Sequence, residues 1–361
     1  MRRIDPDLRA WIELSLVPGL GPAALHALLR SFGEPAAILH AAPRHLEQAV
    51  PPAIVHAILS EDRREAVQRT CDWLAVQPNT LIALDDPAYP AQLLQIPDPP
   101  CVLYATGDPQ LLSRPAVAIV GSRSATPQGR RNAREFARAL SEAGLTIVSG
   151  LALGIDAAAH EGGLQGPGST IAVMGTGPET IYPAGNRELA KSIAEHGVLI
   201  TEFAMGMPPL RANFPRRNRL IAGLARGVLV VEAALASGSL ITARMAADQG
   251  RDVFAIPGSI HSPVARGCHA LIRQGAKLVE TAQDVLDELG LRQALPLQSA
   301  SHDISHDNGE LLLHMGHDAC DIGTLAQRSG LTAETVSAML LQLELEGRIG
   351  SLPGGLFQRM T

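Results

Sequence analysis

The stretch VAIVGSRSATPQGRRNAREFARALSEAGLTIVSG, residues 117–150, decides the fold class. It opens on a continuously hydrophobic run of strand length and turns at Gly121, Ser122 and Arg123. It continues as an amphipathic helix, predicted over Gln128–Ala143, and closes on a second apolar run. Hydrophobic, β-branched runs of this kind are typical of parallel strands buried on both faces. The stretch therefore predicts a strand–helix–strand unit with a right-handed crossover.

The same alternation continues through the middle of the chain, and a further helix is predicted at Arg187–Glu195. It predicts a doubly wound α/β fold, an extended Rossmann-like parallel sheet, over residues 81–290. The predicted strands lie in the runs VAIVGSR (117–123), LTIVSGL (145–151), STIAVMGTG (169–177), GVLITEF (197–203), GVLVVEA (227–233) and DVFAIPGS (252–259).

Length and composition narrow the class of protein. A chain of 361 residues, 46% of them hydrophobic and 18% charged, predicts two or three folded domains. No apolar run approaches the ~18 residues of a membrane-spanning helix, and acidic residues interrupt the start of the chain. The four cysteines are far apart and form no CxxC pair, which argues against a zinc ribbon or a dense disulfide framework. We expect a cytoplasmic protein with reduced thiols and no membrane insertion.

Two smaller domains are predicted to flank the sheet. Residues 1–80 are predicted to be short helices, and the turn at Pro18–Pro22 resembles a helix-hairpin-helix turn. Residues 291–308 are polar and unpatterned, which predicts a linker. Residues 309–361 follow a winged-helix pattern, with a helix near Asp321–Arg328, a second helix ending near Glu346 and a hairpin.

Charge is unevenly distributed along the chain. The net charge is −6, yet residues 114–226 carry +5. The densest basic segment, Arg211–Arg219, holds four arginines, two amides and Phe214, and is predicted to be a structured loop. Arginine charge beside an aromatic ring suits single-stranded nucleic acid.

Small and polar residues follow several of the predicted strands. Because the carboxyl ends of parallel strands share one sheet edge, these turns should lie together. The helix that follows Arg123 should direct its free N–H groups toward a ligand there. Asp156 is predicted to cap the next helix, with His160 on the same helical face. No Ser or Cys nucleophile is evident beside this Asp–His pair.

The order of the motifs resembles the DNA-processing protein A family (DprA, also called Smf). The motifs are GSR, SGLALGIDAAAH, GTG with YP and N, FPRRNR with IAGL, VVEA with SGSLITA, and VFA with PGS. The resemblance implies a homodimer, formed through the Rossmann-like domain, that binds and protects incoming single-stranded DNA in natural transformation of competent cells. It also implies help in loading RecA recombinase, with no enzymatic turnover, cofactor or metal.

The resemblance implies a basic pocket for single-stranded DNA around the GSR turn and the RNR segment. Carried to this chain, it comprises Gly121, Ser122, Arg123, Phe214, Arg217, Asn218 and Arg219. The predicted pocket also includes five residues that follow strands ending at the same sheet edge, namely Ser149, Gly150, Ser237, Gly238 and Ser239.

Two enzyme classes on related folds fit the sequence less well. A nucleotide phosphoribohydrolase on the same superfold would need a PGGxGTxxE loop, but the matching segment keeps Glu232 and lacks the double glycine and second glutamate. A nicotinamide-dependent dehydrogenase would need a dinucleotide fingerprint that this sequence lacks. The second winged-helix helix carries no Lys or Arg, which argues against duplex recognition and favours a protein-interaction or regulatory role.

Overall fold

The computed structural model describes residues 5–60, 62–291 and 306–360. Nine strands form one large sheet in the order β1-β2-β6-β5-β4-β3-β7-β8-β9. They are β1 (Asn79–Ala83), β2 (Val102–Gly107), β3 (Ala116–Val120), β4 (Thr146–Ser149), β5 (Thr170–Val173), β6 (Val198–Thr201), β7 (Gly227–Val230), β8 (Asp252–Ala255) and β9 (Lys277–Leu278).

The six strands predicted from the hydrophobic runs, β3 to β8, are confirmed and pair in parallel. Three strands were not predicted from the sequence: β1 and β2, which add an antiparallel edge beside β6, and the short β9 on the other edge. A proline-rich segment directly precedes β2. The turn signals of that segment made the strand hard to recognise in the sequence. β1 begins at Asn79, inside the segment predicted as the helical domain.

Six short helices precede or overlie the antiparallel edge. They are α1 (Pro6–Ser15), α2 (Pro22–Phe32), α3 (Pro35–Leu39), α4 (Pro43–Leu46), α5 (Pro52–Ser60) and α6 (Arg64–Leu74). Prolines in the first turn begin several of them, where the missing N–H costs no hydrogen bond. Their buried apolar side chains share one core with Leu81 of β1 and Tyr104 of β2.

Helices cover both faces of the sheet. They are α7 (Pro127–Glu142), α8 (Ile155–Gly163), α9 (Arg187–His196), α10 (Asn213–Leu224), α11 (Gly238–Asp248), α12 (Arg266–Arg273) and α13 (Ala282–Glu288). One core packs the sheet against α10, α11 and α12, and another packs it against α7, α8 and α13. The doubly wound arrangement is thus confirmed. Helices on both faces explain why the strands are continuously apolar.

The C-terminal part is a winged helix with its own core. It consists of α14 (His306–Met315), β10 (Cys320–Asp321), α15 (Ile322–Ser329), α16 (Ala333–Leu345), β11 (Ile349–Leu352) and β12 (Leu356–Arg359). Gly330 ends α15 in the left-handed conformation that favours glycine. Most of the predicted linker lies outside the described residues, and α14 begins within it. Gly350 of β11 lies against Pro127 at the start of α7.

No helix in the described part of the chain is both long and apolar enough to cross a membrane.

Candidate nucleic-acid interface

A cleft of about 890 Å³ opens at the carboxyl edge of the sheet, between the turn after β3 and the loops preceding α10 and α11. Nine of the twelve residues predicted for the single-stranded DNA pocket line it, and Ser149, Gly150 and Arg219 do not. Those that line it are Gly121, Ser122, Arg123, Phe214, Arg217, Asn218, Ser237, Gly238 and Ser239. Asp156, Tyr182 and Arg211 also line the cleft.

Glu232 fixes the turn after β3 from behind. Its backbone carbonyl accepts a hydrogen bond from Ser122 N at 2.7 Å. Its carboxylate accepts from Thr126 N at 2.9 Å and from Thr126 Oγ1 at 2.6 Å, while Thr126 Oγ1 caps α7 by accepting from Gly129 N. Burial raises the pKa of Glu232, and the two bonds from Thr126 oppose that effect.

The prediction that the first-turn N–H groups of α7 point toward a bound ligand is therefore wrong. A carboxylate of the chain itself occupies the N-terminus of α7, and Gly129 is needed there because a side chain would collide with Glu232. The Glu232 carboxylate accepts from the amide of the N-cap residue Thr126 and lies at the positive end of the helix dipole.

The N-terminus of α11 instead faces the cleft. Ser237 is its N-cap, and the Ser237 Oγ lies 3.3 Å from Ser239 N and 2.7 Å from Ser239 Oγ. Ser237, Gly238 and Ser239 all line the cleft. The positive end of the α11 helix dipole and the two hydroxyls together form an anion-binding group.

Arg217 supplies positive charge at the floor of the cleft. The predicted loop over Arg211–Arg219 is wrong from Asn213 onward, because that part forms the first two turns of α10. Arg217 is only 4% exposed, and its Nη1 donates to Val173 O at 2.6 Å. Its Nε is buried without a hydrogen-bond partner. Burial lowers the pKa of Arg217 to about 10, so the guanidinium stays charged at neutral pH.

Gly150 and Ser149 lie beneath the cleft and do not line it. A side chain at Gly150 would occupy the position of the Arg217 guanidinium. Ser149 is fully buried, and its Oγ donates to Ile119 O at 2.6 Å. Both residues shape the sheet edge on which Arg217 lies.

Arg219 points away from the cleft into an ion-pair network in which Arg219 and Glu202 are buried and Asp98 and Arg216 are partly exposed. Its guanidinium lies 2.6 Å from Glu202 Oε2 and 2.9 Å from Asp98 Oδ2. Arg216 contacts the same Glu202 carboxylate at 3.0 Å. Two of the four arginines in the basic segment thus pair with carboxylates, and Arg211 and Arg217 remain in the cleft wall.

Asp156 is not the predicted N-cap of α8, because Gly154 occupies that position. The Asp156 carboxylate lies at the cleft and accepts from the amides of Gly150 at 3.1 Å and Ala152 at 3.4 Å. Burial raises the pKa of Asp156, and the nearby Arg217 charge opposes this. The carboxylate fixes the loop after β4.

His160 is a buried structural residue. Its Nε2 accepts from Leu151 N at 3.3 Å, so Nδ1 carries the proton and donates to Thr170 Oγ1 at 2.7 Å. The contact holds Leu151, whose φ of 57° lies in the left-handed region. Burial lowers the pKa of His160 to about 3. His160 and Asp156 therefore support the same loop and form no hydrogen bond with each other.

Phe214 joins the aromatic side of the cleft to its basic side. The Arg123 guanidinium lies 5.6 Å from the Phe214 ring centroid, and the Tyr182 ring lies 5.6 Å from it on another side. Gly175 leaves room for the ring, and Asn213 Nδ2 donates to Gly175 O at 3.1 Å. The first turn of α10 is thereby fixed to the loop after β5.

Two cleft residues, Arg211 and Tyr182, were not among the site residues predicted from the sequence. Arg211 stood in the basic segment, and Tyr182 in the loop after GTG, so both signals were present. No group of three or more His, Cys, Asp or Glu residues that could hold a metal ion occurs among the described residues.

Fold and cleft together define a class of α/β protein with an arginine-lined, anion-binding cleft at the sheet edge, a helical N-terminal part and a C-terminal winged helix. The chain belongs to the DNA recombination-mediator protein A family, whose model matches residues 80–290, and a model of the DprA winged helix domain matches residues 293–355.

The chain is similar to several members of this family. Protein Smf of Escherichia coli is 43% identical over 301 residues, which cover 81% of this chain and 80% of that protein. The structure of DNA processing protein A from Streptococcus pneumoniae has a TM-score of 0.69 and 39% identity, covering 78% of this chain and 97% of that one. DNA processing protein A from Helicobacter pylori, described as having a unique single-stranded DNA binding mode, has a TM-score of 0.54 and 31% identity, covering 59% and 95%.

Proposed function

We propose that this protein binds single-stranded DNA in the cleft, independently of sequence, through the phosphates. The observation that carries the proposal is the convergence of Arg123, Arg211 and Arg217 with the N-terminus of α11 on one cleft. Arginine forks and helix N-termini are groups that bind phosphate oxygens. The single-stranded DNA binding described for the Helicobacter pylori relative supports the same ligand.

The cellular role proposed is that of a recombination mediator. In this role the protein protects incoming single strands during natural transformation and helps load RecA recombinase onto them. It acts in the cytoplasm as a homodimer formed through the Rossmann-like domain, and it acts by binding rather than by catalysis. Membership of the recombination-mediator family supports this role.

The phosphoribohydrolase alternative is less well supported by the geometry. Its catalytic acid would be Glu232, the glutamate retained before the loop. The Glu232 carboxylate is instead bonded to Thr126 at the start of α7, and it does not line the cleft. Asp156, the acid that does line the cleft, accepts hydrogen bonds from two amides of its own loop.

A competition experiment tests the proposed function. A labelled oligonucleotide bound to the protein is displaced with unlabelled single-stranded DNA, duplex DNA or RNA of the same length. We expect single-stranded DNA to displace it at the lowest concentration, and Arg123→Ala to weaken binding. Arg266→Ala, outside the cleft, is the control. Equal or better displacement by duplex, or full affinity in Arg123→Ala, would contradict the proposal.

A further inference from the structure

Helix α16 of the winged helix is apolar on two opposite faces. Val336, Leu340 and Leu343 are buried in the core of the winged helix. On the other side of the helix, Leu341 is 60% exposed and Leu345 is 82% exposed. A helix that is apolar all round is normally covered on every side. The outer face of α16 therefore has the composition of a surface that a partner covers.

The exposed positions on this face form one continuous line, which we call the outer stripe. It consists of Glu334, Ala338, Leu341 and Leu345, which are all exposed and follow one another at intervals of four, three and four residues. At 3.6 residues per turn these intervals place the stripe opposite the buried residues of α16. The same alternation of intervals marks the contact line of paired amphipathic helices. The spacing therefore favours a helix as the partner over an extended peptide.

Carboxylates border the outer stripe. Glu334 lies at its N-terminal end, and the helical periodicity places Glu344 and Glu346 on the two sides of Leu345. Glu344 and Glu346 each accept a hydrogen bond from a neutral side chain. Within the described part of the chain, none of the three glutamates belongs to an ion pair. Their charge is thus available to a partner.

This charge decides between the possible occupants of the stripe. α16 carries no Lys or Arg, and residues 309–361 have a net charge of −3. Nucleic acid and anionic membranes both present phosphates, which these carboxylates repel. A second copy of α16 would bring the same carboxylates against each other, and like charges oppose association. A helix that carries Lys or Arg beside its apolar face complements the stripe in both respects.

The hairpin of the winged helix already has a partner within the chain. Gly350 of β11 lies against Pro127 at the start of α7. Leu352 and Leu356 line a cavity of about 790 Å³ between the hairpin, α7 and the loop after β8. The contact with the sheet domain therefore uses the hairpin, and it leaves Leu341 and Leu345 uncovered.

We propose that the outer stripe of α16 is a docking surface for a basic amphipathic helix of a partner protein. Leu341 and Leu345 pack against the apolar face of that helix, while Glu344 and Glu346 pair with its Lys or Arg side chains on either side. No residue of the winged helix lines the DNA-binding cleft. The protein contact and the cleft are therefore separate, and a partner can dock while the cleft holds DNA.

The test measures the binding of two synthetic peptides of equal length to the full chain by fluorescence anisotropy. Both peptides carry leucines at heptad positions a and d, and the remaining positions are mainly lysine in one and glutamate in the other. We expect the lysine peptide to bind, and the glutamate peptide to bind roughly tenfold or more weakly because the carboxylates repel it.

Variants then locate the bound peptide. Leu341→Ser combined with Leu345→Ser should weaken binding of the lysine peptide roughly tenfold or more, since two apolar anchors are lost. Glu344→Gln combined with Glu346→Gln should weaken binding and reduce its salt dependence. Val76→Ser is the matched control, because Val76 is 61% exposed and lies between α6 and β1. It should bind the lysine peptide as the wild type does.

Two results with these proteins would overturn the proposal. One is wild-type affinity for the lysine peptide in the folded leucine variant, and the other is equal binding of the two peptides by the wild type. Sedimentation velocity of the leucine variant tests a second copy as the occupant. We expect the same oligomeric state as the wild type, and a smaller assembly would also overturn the proposal.

A second measurement uses the wild-type protein alone. The lysine peptide is made with photoleucine at a central heptad position, irradiated in complex with the full chain, and the crosslinked residues are mapped. We expect adducts on α16. Adducts only outside α16 would overturn the assignment.

Discussion

The guanidinium of Arg217 occupies the space in which a side chain at Gly150 would lie. Gly150 and Arg217 are far apart in sequence, yet the position of one depends on the other. The turn after β4 must lack a side chain at Gly150 so that Arg217 of α10 can reach the cleft floor. The relationship explains why Gly150, which does not itself line the cleft, is needed to position the charge of Arg217 at the cleft floor.

Gly150→Ala should displace Arg217 and weaken single-stranded DNA binding roughly tenfold, equivalent to about 1.4 kcal/mol. The measurement is equilibrium binding by fluorescence anisotropy, with circular dichroism to confirm the fold. Gly21→Ala is the control, because a Cβ there meets nothing within 4 Å. Wild-type affinity in a folded Gly150→Ala protein would show that the position of Arg217 does not matter for binding.

Arg217→Ala and Arg123→Ala should differ in stability although both weaken DNA binding. Arg217 is buried, bonds to Val173 O and offsets the charge of Asp156, so its loss should lower the free energy of unfolding by roughly 1–3 kcal/mol. Arg123 lies on an exposed turn, so its loss should change the free energy by less than about 0.5 kcal/mol. Urea denaturation measures both, and equal stabilities would refute the distinction.

Much of the sheet could be predicted because hydrophobic periodicity is a local signal. The six runs predicted β3 to β8, and the pattern of residues 309–361 predicted the helix near Asp321–Arg328 and the hairpin of the winged helix. The edge strands β1 and β2 were missed, since one borders a helical segment and the other a proline-rich one.

The site was less predictable because it depends on contacts between distant residues. The order of strands and turns predicted that Arg123, Arg217 and Ser237 lie at the same edge of the sheet. The sequence could not show that Arg219 pairs with Glu202 and Asp98. Nor could it show that Glu232 reaches the N-terminus of α7. Charge patterns in a sequence do not distinguish a free arginine from a paired one.

His160 should make the protein less stable in acid. The unfolded chain binds a proton at this side chain near pH 6.5, whereas folded His160 does so only near pH 3. Between these values the unfolded state binds more protons, so the free energy of unfolding falls as pH is lowered, by up to about 1.4 kcal/mol per pH unit.

The acid slope is measured by urea denaturation at several pH values between 7 and 4. His160→Gln should flatten the slope, while the exposed His45→Gln should leave it unchanged. The raised pKa of Asp156 has the opposite effect on the pH dependence of the free energy of unfolding. Because Asp156 is present in both proteins, the difference in slope between His160→Gln and wild type comes from His160. An identical slope in His160→Gln and wild type would contradict this account.

A chain ending at Leu291 should keep its fold and bind single-stranded DNA within about threefold of the full chain. The winged helix has its own core, and its α16 carries no Lys or Arg to attract phosphate. Anisotropy titration of both forms at one salt concentration is the measurement. A tenfold loss with the fold intact would show that the winged helix binds DNA.

The salt dependence of single-stranded DNA affinity tests whether the cleft arginines bind phosphates. For single strands, log K falls against log salt with a slope of about −0.7 per phosphate neutralised, so three cleft arginines predict a slope of about −2. Arg123→Ala should reduce it to about −1.4 by the same rule. A slope near zero, or the wild-type slope in Arg123→Ala, would contradict phosphate binding in this cleft.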